Sequence, residues 1–157
     1  MALIAKFTNA GARTPLGAWF SRLHVWVYRR TGGWLLGRWL GAPVLLLDVP
    51  GRRTGVRRVT PMIYMMADGV PVVMPANAGA RPPVWWLNLR TVGSGVVQIG
   101  RIRARVEPRV LEGAEYVQVY QRFRRTCQSA DDYARFAGRR LPLVALHPVL
   151  RLNRTDT

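Results

Sequence analysis

Two strand-forming runs, Arg58–Ala67 and Val70–Met74, meet at the dipeptide Asp68-Gly69. A two-residue Asp-Gly link between such runs is a type I′ turn, because both positions tolerate positive φ and the turn twists as paired strands do. The chain is thereby committed to an antiparallel hairpin. Gly95–Ile99 and Ile102–Val106 repeat the arrangement around Gly100-Arg101. Val44–Val49, an apolar run between Pro43 and Pro50-Gly51, is expected as a buried strand, and Leu141–Leu146 as the last strand.

Helical periodicity occupies the rest. Leu16, Trp19, Phe20, Leu23, Trp26 and Val27 recur at three- and four-residue spacings, which predicts an amphipathic helix over Leu16–Arg30. Thr14 can cap it, Pro15 suits its first turn and Gly32-Gly33 ends it. Packing across a barrel mouth is the expected use of its apolar stripe. Shorter helices are expected over Trp34–Leu40, Val84–Arg90, Glu112–Cys127 and Ala130–Phe136. There is no internal repeat and no linker. About six short antiparallel strands with peripheral helices make a single α+β domain over 1–157, and such strands close most easily into a small barrel. The expected parts are an N-terminal helical segment (1–41), a barrel core (42–148) and a polar tail (149–157).

Charge bounds the partners. Lys plus Arg number 24 against 8 Asp plus Glu, a net charge of +16. An anionic partner is favoured: nucleic acid, acidic lipid or a phosphorylated cofactor. Lys6 is the sole lysine, so part of the arginine excess is compositional, but the distribution is uneven. Ten basic residues and one acid, Asp48, fall within Met1–Thr60. The single cysteine, Cys127, excludes an internal disulfide and a zinc site of several thiolates. Met1–Thr14 lacks the apolar core of a secretory leader and no run approaches about 18 apolar residues, so a cytoplasmic protein is expected.

Motifs of nucleophilic, metal and nucleotide chemistry are absent. There is no GxxxxGK[ST], HExxH, CxxC or GxSxG, and Gly93-Ser94-Gly95 continues into Val-Val-Gln without a third glycine. His24 and His147 sit in apolar surroundings that suit structural residues. Two segments carry chemical content. Gly51-Arg52-Arg53-Thr54-Gly55, followed by Arg57 and Arg58, combines glycines that can turn amide N–H groups toward an anion with forked guanidinium donors. It reads equally as a phosphate-gripping bend or as a basic surface turn. Pro75-Ala76-Asn77-Ala78-Gly79-Ala80-Arg81-Pro82-Pro83 is a small-residue loop running into Val84-Trp85-Trp86-Leu87-Asn88-Leu89. Small side chains let a flat ring approach the backbone, and free N–H groups at a helix start accept an anion or a carbonyl. At least one of Trp85 and Trp86 is expected in the core. Asn88 among apolar residues needs partners if buried, which favours a specific contact.

Taken in order, Gly51–Gly55, Arg58, Pro61, Tyr64, Asn77-Ala78-Gly79 and Pro83–Leu89 resemble the deazaflavin-dependent nitroreductase family. The lead-in His24-Val25-Trp26-Val27-Tyr28-Arg29 is similar as well, so the likeness covers roughly 22–148. It implies a split β-barrel that binds coenzyme F420, with FMN the alternative, and passes its hydride to a quinone, nitroaromatic or similar small hydrophobic acceptor. It also implies cofactor-binding roles for Arg52, Arg53, Thr54, Arg58, Ala76, Asn77, Ala78, Gly79, Pro83, Val84, Trp85 and Asn88, and a place near the acceptor for Tyr133. Two positions depart from the pattern: Ala76 stands where the loop often has Ser, and Ala130 where a second tyrosine is expected. The cofactor would carry the chemistry, which accounts for the missing catalytic dyads.

Rival readings are a split-barrel protein that binds cofactor, haem or lipid without turnover, and a nucleic-acid module using Arg101, Arg103 and Arg105. The second is weaker, since no recognition motif accompanies those arginines and no specific nucleic acid is expected. A homodimer, and contact of residues 16–30 with the inner face of a membrane, complete the expectations.

Overall fold

The computed structural model describes residues 15–39, 41–76 and 81–149. Asp68 and Gly69 both take positive φ, 51° and 78°, as the type I′ turn requires, and join β3 (Arg57–Ala67) to β4 (Val70–Val73). Gly100, at φ 61°, begins the turn between β5 (Gly95–Ile99) and β6 (Ile102–Val110). With β2 (Ala42–Pro50) and β7 (Val144–Pro148) the strands run β2-β3-β4-β7-β6-β5, and β5 returns to pair with β2. The six strands form a closed antiparallel barrel. A two-residue β1 (Arg38–Trp39) lies on the edge of β2 as a seventh strand.

Strand alternation sends one set of side chains inward and the other outward. Leu45, Leu47 and Val49 of β2 fill the barrel with Val73, Val97, Val106, Val144 and Leu146. Helix α2 (Val84–Val92) adds Trp86 and Leu89 to that interior. The outward residues Met65, Val72 and Ala145 pack under Tyr116, Val119 and Phe123 of α3 (Gly113–Thr126) and Ala130 of α4 (Ala130–Ala137). On a third side, Val44 and Leu46 meet Val25 and Tyr28 of α1 (Pro15–Thr31). Tyr28 ties the pieces together: its hydroxyl donates to Val44 O (3.0 Å) and accepts from Gly100 N (3.0 Å).

Three expectations are corrected. Trp34–Leu40 is not a helix: Gly32, Gly33 and Leu36 take positive φ, and Arg38–Trp39 pair with Ala42–Pro43. Left-handed residues interrupt the helical hydrogen-bond ladder, and edge pairing replaces it; residue 40 lies outside the described set. The last strand begins at Val144 rather than Leu141 because its partner, β6, runs on to Val110. Half of the apolar stripe of α1 faces away from the barrel: His24, Val25 and Tyr28 are buried and Val27 half-buried, whereas Trp19 and Trp26 are 58% and 59% exposed and Leu23 is exposed with them; the side chains of Leu16 and Phe20 lie outside the described set. Tertiary packing selected a narrower, smaller-residue face of the helix.

Candidate functional site

The two segments singled out by their chemistry meet at one end of the barrel. Asn88, on α2, is only 3% exposed. Its Oδ1 accepts a hydrogen bond from the Arg52 backbone N–H (3.2 Å) and another from Arg52 Nη1 (3.1 Å). A buried amide oxygen without donors would be costly, so this pair fixes the bend against the helix. The bend is also closed internally. Gly51 N donates to Val56 O (2.9 Å), Gly55 N donates to Gly51 O (2.7 Å), and Gly55 takes φ 68°. Thr54 Oγ1 accepts from Val56 N (3.4 Å), so this hydroxyl serves the turn.

Register separates the neighbouring arginines. Arg58 pairs with Val49 and therefore shares the inward face at the barrel mouth, while Arg57 pairs with Pro50 and faces outward. There Arg57 Nε meets Asp48 Oδ1 at 3.0 Å, with Arg29 at 3.9 Å and Arg103 at 4.0 Å from the other carboxylate oxygen. Asp48 thus holds one arginine of the basic cluster, whereas Arg52, Arg53 and Arg58 are exposed and have no ion pair among the described residues. Sequence reasoning did not single out Asp48. The signal was present, because it is an acid inside an apolar strand run.

Helix α2 starts at this mouth. Pro83 is buried and occupies the N-cap with no side-chain cap. The first helical bond runs from Trp86 N to Pro83 O (3.0 Å), which leaves the Val84 and Trp85 N–H groups ahead of it. Val84 is exposed, and Trp85 is half-buried against the interior cluster, edge-on to the buried Trp86. Ala76 is half-buried and its N donates to Met74 O (2.9 Å); Asn77, Ala78 and Gly79 lie outside the described residues. Tyr64, inside the barrel beside Val73, has its hydroxyl pKa raised mainly by burial, so it stays protonated at neutral pH. Tyr133 sits on α4, the element anchored to α3 by Tyr120 donating to Asp131 Oδ1 (2.9 Å) and by Arg124–Asp131. Burial, then that carboxylate, pushes the Tyr120 hydroxyl up to about 12. His24 lies on the buried face of α1 beside Trp39, and His147, on β7, accepts from Arg109 Nε (3.1 Å).

A closed six-strand antiparallel barrel with a cationic bend clamped to a helix start belongs to the split-barrel class. Solved structures agree on the fold. An F420-H2 dependent reductase has 20% identity and a TM-score of 0.61 over 67% of this chain and 94% of its own. A domain-swapped dimer has 19% identity and a TM-score of 0.64 over 83% and 98%. A haem storage protein from Vibrio cholerae has 10% identity and a TM-score of 0.53 over 83% and 91%. At these identities the likeness is one of architecture. The family model of the F420H(2)-dependent quinone reductases matches residues 19–148, and the chain belongs to that family. It is an F420H2-dependent oxidoreductase.

The residues present fit that cofactor. Among the described residues the guanidinium groups of Arg52, Arg53 and Arg58 have no carboxylate partner, and a polyanionic tail would supply one. The N–H groups at the start of α2, ahead of the first helical bond, and the half-buried Trp85 suit a flat, polar-edged ring.

Proposed function

We propose that the mouth framed by the Gly51–Gly55 bend and the start of α2 binds reduced coenzyme F420 and presents it to a quinone or another small hydrophobic acceptor. When bound, F420 supplies a hydride. Arg52, Arg53 and Arg58 hold its anionic tail. Pro83, Val84, Trp85 and Asn88 border the ring, Ala76, Asn77, Ala78 and Gly79 are assigned to the same cofactor, and Thr54 keeps the bend in shape. The observation that carries this reading is the clamp from Asn88 Oδ1 to both donors of Arg52. It makes the anion-gripping bend and the ring-bordering helix one rigid unit, and such pre-organisation lowers the cost of ordering the site on binding. Tyr133, on α4, is assigned a place near the acceptor, which turnover of Tyr133→Phe would test.

The test is a fluorescence titration of the full chain with F420, followed by loss of the reduced cofactor in the presence of menadione. Saturable binding, abolished in Arg52→Gln/Arg53→Gln/Arg58→Gln, is expected together with turnover. Unchanged affinity in the triple variant would remove the site; binding without turnover would remove the acceptor assignment. A titration with FMN separates the two cofactors.

A further inference from the structure

The alternating arginines of β6 take no part in the cofactor mouth. Residues paired across strands share a face, so Asp48, Val96 and Arg105 lie side by side on the outside of the barrel, with Gln98 and Arg103 in the next row. Asp48 is the floor of this face, only 8% exposed. Three guanidinium groups converge on it: Arg57 from β3, Arg103 from β6 and Arg29 from α1. Arg57 Nε is at hydrogen-bond distance, 3.0 Å from Oδ1. Arg29 Nη2 and Arg103 Nη2 stand farther off, 3.9 Å and 4.0 Å from Oδ2, and give it no hydrogen bond. The three side chains are 43–55% exposed. Two more arginines flank them without an ion pair among the described residues. Arg105 Nη2 donates to Ser94 Oγ (3.0 Å), and Arg101 lies against the end of α1, where a Cβ on Gly32 would meet its Cγ at 2.7 Å. One carboxylate thus serves five guanidinium groups, and most of their N–H donors are unspent.

We propose that this outward arginine cluster binds a small ligand carrying two or more linked phosphoryl groups, such as a nucleoside di- or triphosphate. The Nη2 atoms of Arg29 and Arg103 share Asp48 Oδ2 as a neighbour, so they are no farther apart than those two distances laid end to end. A phosphoryl group accepting charge-assisted bonds of about 2.7–2.9 Å on two of its oxygens can bridge such a gap. Linked groups extend from there toward Arg105, which is about 6.7 Å from Arg103 along the strand backbone. Asp48, held beneath by Arg57, keeps the guanidinium groups gathered before the ligand arrives, which lowers the cost of ordering them. A nucleic acid fits less well, because the outward residues Val96, Gln98, Arg103 and Arg105 include no ring on which a base could stack. The cluster is also distinct from the cofactor mouth, since Arg57 and Arg58 leave β3 on opposite faces.

The experiment is isothermal titration calorimetry of the full chain with inorganic tripolyphosphate, with thermal melting as an independent check of folding. Saturable binding is expected. Arg29→Gln/Arg103→Gln should weaken it about tenfold, near threefold for each half-exposed arginine. Arg103→Gln alone should show the single step, and it replaces the double variant if that one melts early. Arg125→Gln/Arg139→Gln removes the same charge elsewhere and should stay within about twofold. Arg52→Gln/Arg53→Gln/Arg58→Gln should keep binding within about threefold, because the mouth is a separate site. The proposal is overturned by absent binding, by equal weakening in the Arg125/Arg139 control, or by loss confined to the Arg52/Arg53/Arg58 variant. Tighter binding of a single-stranded oligonucleotide with the same dependence on Arg29 and Arg103 would assign the face to nucleic acid instead.

Discussion

Replacing Asn88 by leucine isolates the clamp that makes the bend and α2 one unit. The two side chains are similar in size, so the interior keeps its packing while the amide, and with it the acceptor for Arg52, is lost. Two hydrogen bonds disappear, from Arg52 N at 3.2 Å and Arg52 Nη1 at 3.1 Å. A neutral bond of this kind contributes about 1 kcal/mol, and the guanidinium bond about another 1 kcal/mol because exposed Arg52 can turn to water. A loss of about 2 kcal/mol in a domain of this size corresponds to a fall of roughly 4–8 °C in Tm. The bend would then sample positions away from the helix start, so F420 affinity should drop about tenfold, more than the stability change alone would cause in a folded sample. Thermal melting followed by dye-free fluorescence, and F420 titration at a temperature where the variant is folded, measure the two effects. An unchanged Tm together with unchanged affinity would refute the clamp; a lower Tm with unchanged affinity would make it structural only.

Two further outcomes follow from the same geometry. Arg58→Gln should weaken F420 binding about three- to tenfold, whereas Arg57→Gln, whose side chain turns outward to Asp48, should leave it within about twofold; equal effects in a paired titration would contradict the register argument. His24 is buried, its Nε2 has no hydrogen-bond partner among the described residues, and burial lowers its pKa below the ordinary 6.5 despite a backbone bond to Leu36. A folded-state pKa below the unfolded value means that the unfolded chain takes up the proton first. The stability from neutral His24 is therefore fully present above pH 6.5 and is lost as pH falls through the folded pKa. Melting curves between pH 8 and pH 5 should show a decline that flattens in His24→Gln, and an identical profile in both proteins would exclude this origin.

Local chemistry was enough to write the hairpins. Asp68-Gly69 and Gly100-Arg101 are turns wherever they occur between such strands, because only their φ preferences are needed. The helices over Pro15–Thr31 and Val84–Val92 were equally legible from spacing. The cationic bend and the Asn88 helix could each be marked as chemically unusual, and Asn88 as a residue in need of partners, from residue type alone. Residue type did not reveal that each was the other's partner, since Arg52 and Asn88 are 36 positions apart and meet only when β2 and α2 close the same end of the barrel. Periodicity also misjudged α1. A stripe of large apolar residues names a face that water disfavours, but which face meets the barrel depended on the room left beside Val44 and Leu46, and Tyr28 and Val25 filled it. Asp48 shows the same division. Its charge was visible in the strand, while its hold on Arg29, Arg57 and Arg103, from a helix and two further strand segments, exists only after the barrel has closed. Turn chemistry and periodicity act over a few residues and are carried by the chain itself; partnership between distant side chains is a property of where folding brings them.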